Sequence, residues 1–346
     1  MWQQICNDFL SYTLESFSHD TVLPAGTYVK KFPGFTASWM GEGMLSFVPH
    51  NDAGNNYESN KVLIVSVAIH GNETAPLELA NQWIKQIFLS ELKPGLPVFF
   101  IIGNIEAILS GQRFIELNLN RLFNEQTRLI NEQDAEIKSE QQRAKFIMCQ
   151  LEKFTAKFSQ ASFIHFDLHT AIRKSLHEKF LVLPFNDHQT SSEKLLQFWS
   201  DAGLTAALQS HAPASTFSYY TRSNLNAISA TVELGQVAAL GENDLSRLTL
   251  TDQAVKALIT AADWPKLSHQ SMLTLFQVKD EIIKTSDKFK LNIGEDVANF
   301  THFQKGFKLA EDISSGYEYI IQSEKDVIVF PNTKVPVGQR VALIAE

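Results

Sequence analysis

A histidine and a glutamate three residues apart, at the abrupt end of an apolar run, are the first side chains in this sequence that could do chemistry. The run is VLIVSVAI, residues 62–69, and it breaks off in His70-Gly71-Asn72-Glu73. Eight residues, all but Ser66 apolar and mostly β-branched, read as a strand buried on both faces. An imidazole and a carboxylate on the loop leaving such a strand can converge on one cation. Two histidines and one glutamate form a known ligand set for catalytic zinc, with a fourth position left to water. On its own a His-x-x-Glu pair arises by chance in a chain with ten histidines, so a second histidine, a proton-handling carboxylate and a substrate anchor are required.

Each has a candidate. His169 follows Asp167-Leu168 at the end of SFIHFDL. A ligating histidine usually gives its other ring N–H to a carboxylate or carbonyl. Asp167 either serves that purpose or supports the turn. Glu233 stands in the apolar run TVEL, where burial would raise its pKa towards that of a useful general base. The alternative is a glutamate ion-paired at a strand end. Arg113, Asn120 and Arg121 share a loop, and Arg173 lies after the second histidine. Arginine grips carboxylates bidentately and can stabilise an oxyanion, so these residues are the natural anchors for an anionic substrate. His165, His177 and His188 read by default as satisfied core or surface histidines.

The elements that must position these residues alternate between strand and helix. Residues 97–102 (PVFFII), 162–168, 180–183 and 228–234 (ISATVEL) follow the first run as buried strands. Apolar spacing predicts helices over residues 77–88, 191–202, with serine available as N-cap, and about 252–262. A short helix is expected near 106–111. The polar, charge-rich stretch 124–160 reads as one or two solvated surface helices. This order argues for an α/β fold with a mostly parallel (mixed) sheet flanked by helices. Ligands of such sheets gather beyond the carboxyl ends of the strands. His70 and Glu73, Asn104, His169 and Glu233 all fall there. From about residue 265 the texture changes to short strand-like runs separated by Gly, Asn, Asp and Pro. The expected division is a catalytic domain of residues 1–264 and a smaller β-rich domain of 265–346. No chemistry is legible in the first sixty residues, which show a helical opening and turn-rich, strand-like pieces around Gly34 and Gly41.

The bulk numbers narrow the function. The 346 residues are 44% hydrophobic and 20% charged, ordinary for a globular chain, and the net charge is −8. No basic stripe exists to neutralise phosphates, so nucleic acid is not expected as a partner. Two cysteines, Cys6 and Cys149, give neither a disulfide framework nor a thiolate site. No stretch reads as a signal peptide or reaches membrane-spanning length, so a cytoplasmic location is expected.

Taken together, HGNETAP (70–76), GNIEAILSGQRF followed by LNLNRLF (103–123), DLHTAIRKSLH (167–177) and VELG (232–235) resemble the succinylglutamate desuccinylases. These belong to the wider succinylglutamate desuccinylase/aspartoacylase family of zinc carboxypeptidase-like enzymes. The resemblance implies one zinc ion per subunit and hydrolysis of N-succinyl-L-glutamate to succinate and L-glutamate, the last step of arginine catabolism by the succinyltransferase pathway. By motif position it implies His70, Glu73 and His169 as zinc ligands and Glu233 as catalytic glutamate. It places Arg113, Asn120 and Arg121 in the substrate-contacting loop. Where such desuccinylases often read MNRMF followed by glycine, this chain reads LNRLFNE, a departure that leaves the Asn-Arg pair intact. The HTAIR and SLH segments favour the desuccinylase branch. The alternatives are an aspartoacylase-like deacylase of another small anionic N-acyl amino acid and a carboxypeptidase. Oligomeric state is not legible.

Overall fold

Apolar runs that do not alternate with polar residues need cover on both faces, and the central runs of this chain receive it. The computed structural model describes residues 1–18, 27–50, 60–131, 136–186, 192–261, 263–266 and 272–346. Its strands are β1 (Tyr28–Phe32), β2 (Phe35–Gly41), β3 (Met44–Pro49), β4 (Lys61–Val67), β5 (Val98–Ile102), β6 (Ser162–Ala171), β7 (Lys179–Leu183), β8 (Ala206–Gln209), β9 (Ile228–Gln236), β10 (Thr274–Ile283), β11 (Phe289–Leu291), β12 (Thr301–His302), β13 (Lys308–Asp312), β14 (Tyr317–Ile320), β15 (Val327–Val329) and β16 (Arg340–Ala345). Its α-helices are α1 (Trp2–Asn7), α2 (Phe9–Ser18), α3 (Thr74–Phe88), α4 (Ile105–Leu109), α5 (Glu125–Arg128), α6 (Ser139–Thr155), α7 (Glu193–Asp201), α8 (Phe217–Leu225) and α9 (Thr249–Thr260). His188 and Ser191 lie outside the described residues.

Among the described residues thirteen strands form one sheet, in the order β1-β2-β3-β5-β4-β6-β9-β7-β8-β10-β16-β15-β12, and β11, β13 and β14 form a small second sheet. The strands β5, β4, β6 and β9 run parallel, as do β7, β8 and β10, whereas β9 and β7 are antiparallel. Residues 28–49, where no chemistry is expected, add the antiparallel β1–β3 edge. On one face Leu63, Val65, Val67, Ile164, Phe166 and Leu168 meet Trp83 of α3, Trp199 of α7 and Leu258 of α9. On the other, Val62, Ile64 and Phe99 meet α6 and α8.

α6 departs from the solvated-surface expectation for residues 124–160. It buries Ala144, Ile147, Met148, Leu151 and Phe154, a stripe at spacings of three and four. Charged residues between these positions occupy the outer face and hide the stripe from a composition argument. Arg143, also on α6, donates to the carbonyls of Glu42, Ile102 and Gly103, which clamps the β2–β3 turn to the end of β5.

The β-rich C-terminal stretch is not a free-standing sheet. β10 pairs with β8 in parallel, from Thr274↔Ala206 to Gln277↔Gln209, and with β16 on its other side. The loop after β6 is tied to the same region. Asn299 N–H donates to the Lys174 carbonyl, Leu176 N–H donates to the Asn299 carbonyl, and the Arg173 guanidinium donates to the Glu295 carbonyl.

β4 stops two residues before the expected end because Ala68 takes a φ of 51°, a left-handed turn unusual for a residue with a side chain. The turn swings Ile69 and His70 out of the sheet, and the Val67 and Ala68 carbonyls accept from Gly103 N–H and Asn104 N–H at 2.8 Å. Gly71 then lies against α4. A Cβ there would sit 2.3 Å from the Ala107 carbonyl carbon, far inside van der Waals contact. Gly71→Ala is therefore expected to lower folding stability by about 1–3 kcal/mol through overpacking. An unchanged urea midpoint would show that α4 yields freely.

Candidate metal centre and active site

The carboxyl ends of β4 and β6, adjacent strands in register from Lys61↔Ser162 to Val67↔Leu168, bring His70, Glu73 and His169 together. One potential ligating atom from each lies within 4.8 Å of the other two, and all three residues are buried. His70 Nδ1 is 2.9 Å from Glu73 Oε1, and His169 Nδ1 is 2.7 Å from Glu73 Oε2. Glu73 sits at the N-cap position of α3, but its side chain makes no cap hydrogen bond and turns into the site. Thr170 N–H and the Arg113 guanidinium also donate to its carboxylate.

The far nitrogens of both imidazoles are already committed. His70 Nε2 lies 3.0 Å from Asn118 Oδ1, which also accepts from Asn120 N–H and so is fixed as the amide oxygen. His169 Nε2 lies 3.0 Å from Asp167 Oδ2. Each Nε2 must therefore carry the proton. That leaves two Nδ1 lone pairs facing carboxylate oxygens at contact distance, an arrangement that repels unless a proton or a cation intervenes. In the cation-free protein the proton goes to His169. Burial opposes charge there, yet the Asp167 and Glu73 carboxylates raise it well above the ordinary histidine value. Burial holds His70 down at about 4, with Arg113 and His169 adding to the effect. The group could hold a metal ion, and two nitrogens with one carboxylate suit a borderline cation.

Glu233 on β9 is the register partner of His169. Its side chain is buried, and Oε2 has no hydrogen-bond partner. Burial raises the carboxyl to about 7, the Glu73 and Asp167 charges push the same way, and His169 and Arg113 oppose them. A strand-end ion pair, the alternative open in the sequence, is not what the geometry gives.

Arg113 reaches the candidate site through its contact with Glu73. Arg121, whose guanidinium donates to the Asn120 carbonyl at 2.8 Å, is open to water but walled by protein. That desolvation lowers it to about 10, together with the positive charges of Arg340 and Arg113, while Glu281 pulls back. Asn120 is buried, and its Oδ1 accepts from Phe217 N–H at 2.9 Å, so the side chain braces the start of α8. Arg173 donates to the Glu295 carbonyl. Asn104, at the end of β5, caps α4 through Ala107 N–H. His177 packs against Phe276 and Phe300 and bonds to Thr205, as a structural histidine does.

Four contributors escaped the sequence reading. Asn118 orients His70. Glu140 on α6 accepts from the backbone N–H groups of Ile115, Glu116 and Leu117 and so fixes the loop between Arg113 and Arg121. Ser66 lies under Asp167 inside the first strand. Arg340 arrives from β16, far along the chain. A cavity of about 790 Å³ walled by Trp39, Glu42, Asn104, Arg143 and Phe146 shares no residue with the His70–Glu73–His169 group.

The succinylglutamate desuccinylase/aspartoacylase catalytic domain matches residues 59–259, and the barrel-sandwich hybrid domain of the same family matches residues 271–346. Succinylglutamate desuccinylase from Shewanella piezotolerans is 38% identical over 97% of this chain and 94% of its own. The protein of the same name from Ectopseudomonas mendocina is 38% identical over 90% of this chain and 89% of its own. The crystal structure of the Vibrio parahaemolyticus enzyme superposes with a TM-score of 0.84 at 34% identity, covering 98% of this chain and 94% of that one. The α/β fold with its smaller β-sheet domain is thus the family fold. The chain belongs to the succinylglutamate desuccinylase/aspartoacylase family and is a hydrolase acting on an amide bond.

Proposed function

We propose that this chain hydrolyses N-succinyl-L-glutamate to succinate and L-glutamate, with one zinc ion per subunit held by His70, Glu73 and His169 and with Glu233 as the proton-handling group. The observation that carries this reading is the partnerless Glu233 oxygen, buried beside three converging ligand atoms. The names of relatives aligned along nearly the whole chain support the substrate. The reaction would be the last step of arginine breakdown by the succinyltransferase route, carried out in the cytoplasm. No helix among the described residues is long and apolar enough to cross a membrane.

Zinc, when bound, supplies a Lewis-acidic positive charge for the scissile carbonyl and acidifies water. Glu233 takes a proton from the attacking water as the new C–O bond forms, then delivers it to the amide nitrogen as the C–N bond breaks. Arg113 stands beside Glu73, where it can stabilise the developing oxyanion. The substrate carries three carboxylates, and the protein is acidic overall, so attraction must be local. Arg121 and Arg340 repel each other electrostatically, and an anion reaching both would relieve that repulsion. In this reading Asn120 and Arg173 serve the site by bracing its walls, through Phe217 and Glu295.

The test is an assay of succinate release from N-succinylglutamate, beside acetate release from N-acetylaspartate and cleavage of a peptide. Succinate release that falls to background on chelation and returns with zinc is the expected result. Preference for N-acetylaspartate or the peptide would replace the substrate with one of the alternatives. Activity that survives complete chelation would remove the metal.

A further inference from the structure

Beneath the ligand cluster, behind His169, lies a line of fully buried polar side chains. Ser66 on β4 sits between His165 and Asp167 on β6. Its Oγ is 2.8 Å from His165 Nε2 and 2.5 Å from Asp167 Oδ1. The other ring nitrogen of His165, Nδ1, is 2.8 Å from Thr221 Oγ1 on α8. Asp167 Oδ2 in turn meets His169 Nε2. Ser66, His165, Asp167 and Thr221 are each 0% exposed. A core position here could hold apolar residues of the same volume at little cost, so four polar groups in line need a reason.

The proton count gives the line a direction. Asp167 accepts only, so the single Ser66 hydroxyl proton goes to Oδ1. Ser66 Oγ must then accept from His165, which places the proton on His165 Nε2. Burial holds His165 down at about 4, so the ring is neutral and Nδ1 is an acceptor. Thr221 must therefore donate to Nδ1, leaving the Phe217 and Ser218 carbonyls within its reach to their helical partners. Every hydroxyl and ring proton from α8 onward points towards Asp167, and His169 Nε2–H points at it from the other side.

We propose that Ser66 and His165 are positioning residues that fix the tautomer and angle of His169, and thereby set the affinity of the metal site. Asp167 has two oxygens and can rotate. With Oδ1 occupied by Ser66, Oδ2 stays on His169 Nε2–H, and Nδ1 keeps its lone pair turned to the site. Without the hydroxyl, Oδ1 becomes a buried orphan, the carboxylate turns to recover a partner, and the Nδ1–H tautomer of His169, which cannot ligate, gains population. His165 acts one step further back, by keeping the Ser66 proton on Asp167. The proposal rests on the metal reading given above.

Two measurements test it. The first is zinc affinity of purified protein stripped of metal, by competition with a chromophoric chelator. Ser66→Ala and His165→Leu are expected to bind zinc about 10- to 100-fold more weakly, the usual range for groups behind metal ligands. His165→Gln, whose amide can donate to Ser66 and accept from Thr221, is expected to recover most of that loss. Variants that bind as the parent protein does would overturn the relay. A parent protein that binds no zinc would instead overturn the metal reading. The second needs no variant that might unfold: ¹⁵N chemical shifts of labelled histidine in the zinc-loaded protein. Protonated Nε2 with bare Nδ1 at His165 is expected, and the opposite tautomer would reverse the donor direction and end the proposal.

Discussion

Exchanging Glu233 for glutamine is expected to lower kcat by about two or more orders of magnitude while zinc content stays at the parent level. The side chain keeps its shape but loses the ability to take a proton. It is not a ligand in the geometry described, since the converging atoms come from His70, Glu73 and His169. The metal-free protein should also change its pH response. The folded value of about 7 lies above the ordinary 4.5, so the native state keeps a proton that the unfolded chain releases between those values. Native stability contributed by this group therefore falls as pH rises through that window. Glu233→Gln removes that slope, and thermal unfolding of the stripped variant should depend less on pH between about 4.5 and 7. Turnover close to the parent enzyme would take Glu233 out of the mechanism.

Removing either imidazole is the second large effect. His70→Ala or His169→Ala leaves one nitrogen and one carboxylate, too few donors for a tight site of this kind. Both variants are expected to lose zinc on dialysis and to fall to background activity. His169→Ala carries a further consequence, because Asp167 then loses its partner and remains as a fully buried carboxylate held only by Ser66. Its unfolding midpoint should drop more than that of His70→Ala, where Asn118 can turn to water. Elemental analysis and urea unfolding read both effects. A metal-replete, active His169→Ala protein would dissolve the proposed ligand set.

The convergence of the candidate residues was legible because parallel strands deliver their ends to one edge. His70, Glu73, His169 and Glu233 each follow or end an apolar run, and sequence alone places them on the same rim. What supports them was not legible, since it depends on which distant segments touch. Glu140 reads as one more charge in a polar stretch until α6 docks and presents it to three backbone amides. Arg340 stands in a β-rich tail with no local sign of chemistry, and only the pairing of β16 beside β10 carries it towards Arg121. Ser66 is hidden by its own strand, where a lone serine among valines and isoleucines reads as filler. The expected strand end at Ile69 failed for a local reason, the left-handed turn at Ala68.

The ladder between β8 and β10 has a bearing on how molecules are chosen. Swinging the C-terminal segment aside would mean severing four paired positions and the ties at Asn299 and Glu295. The strand that carries Arg340 is thus built into the main sheet and not hinged beside it. An arginine on so rigid a strand meets an arriving anion without first having to be brought into place.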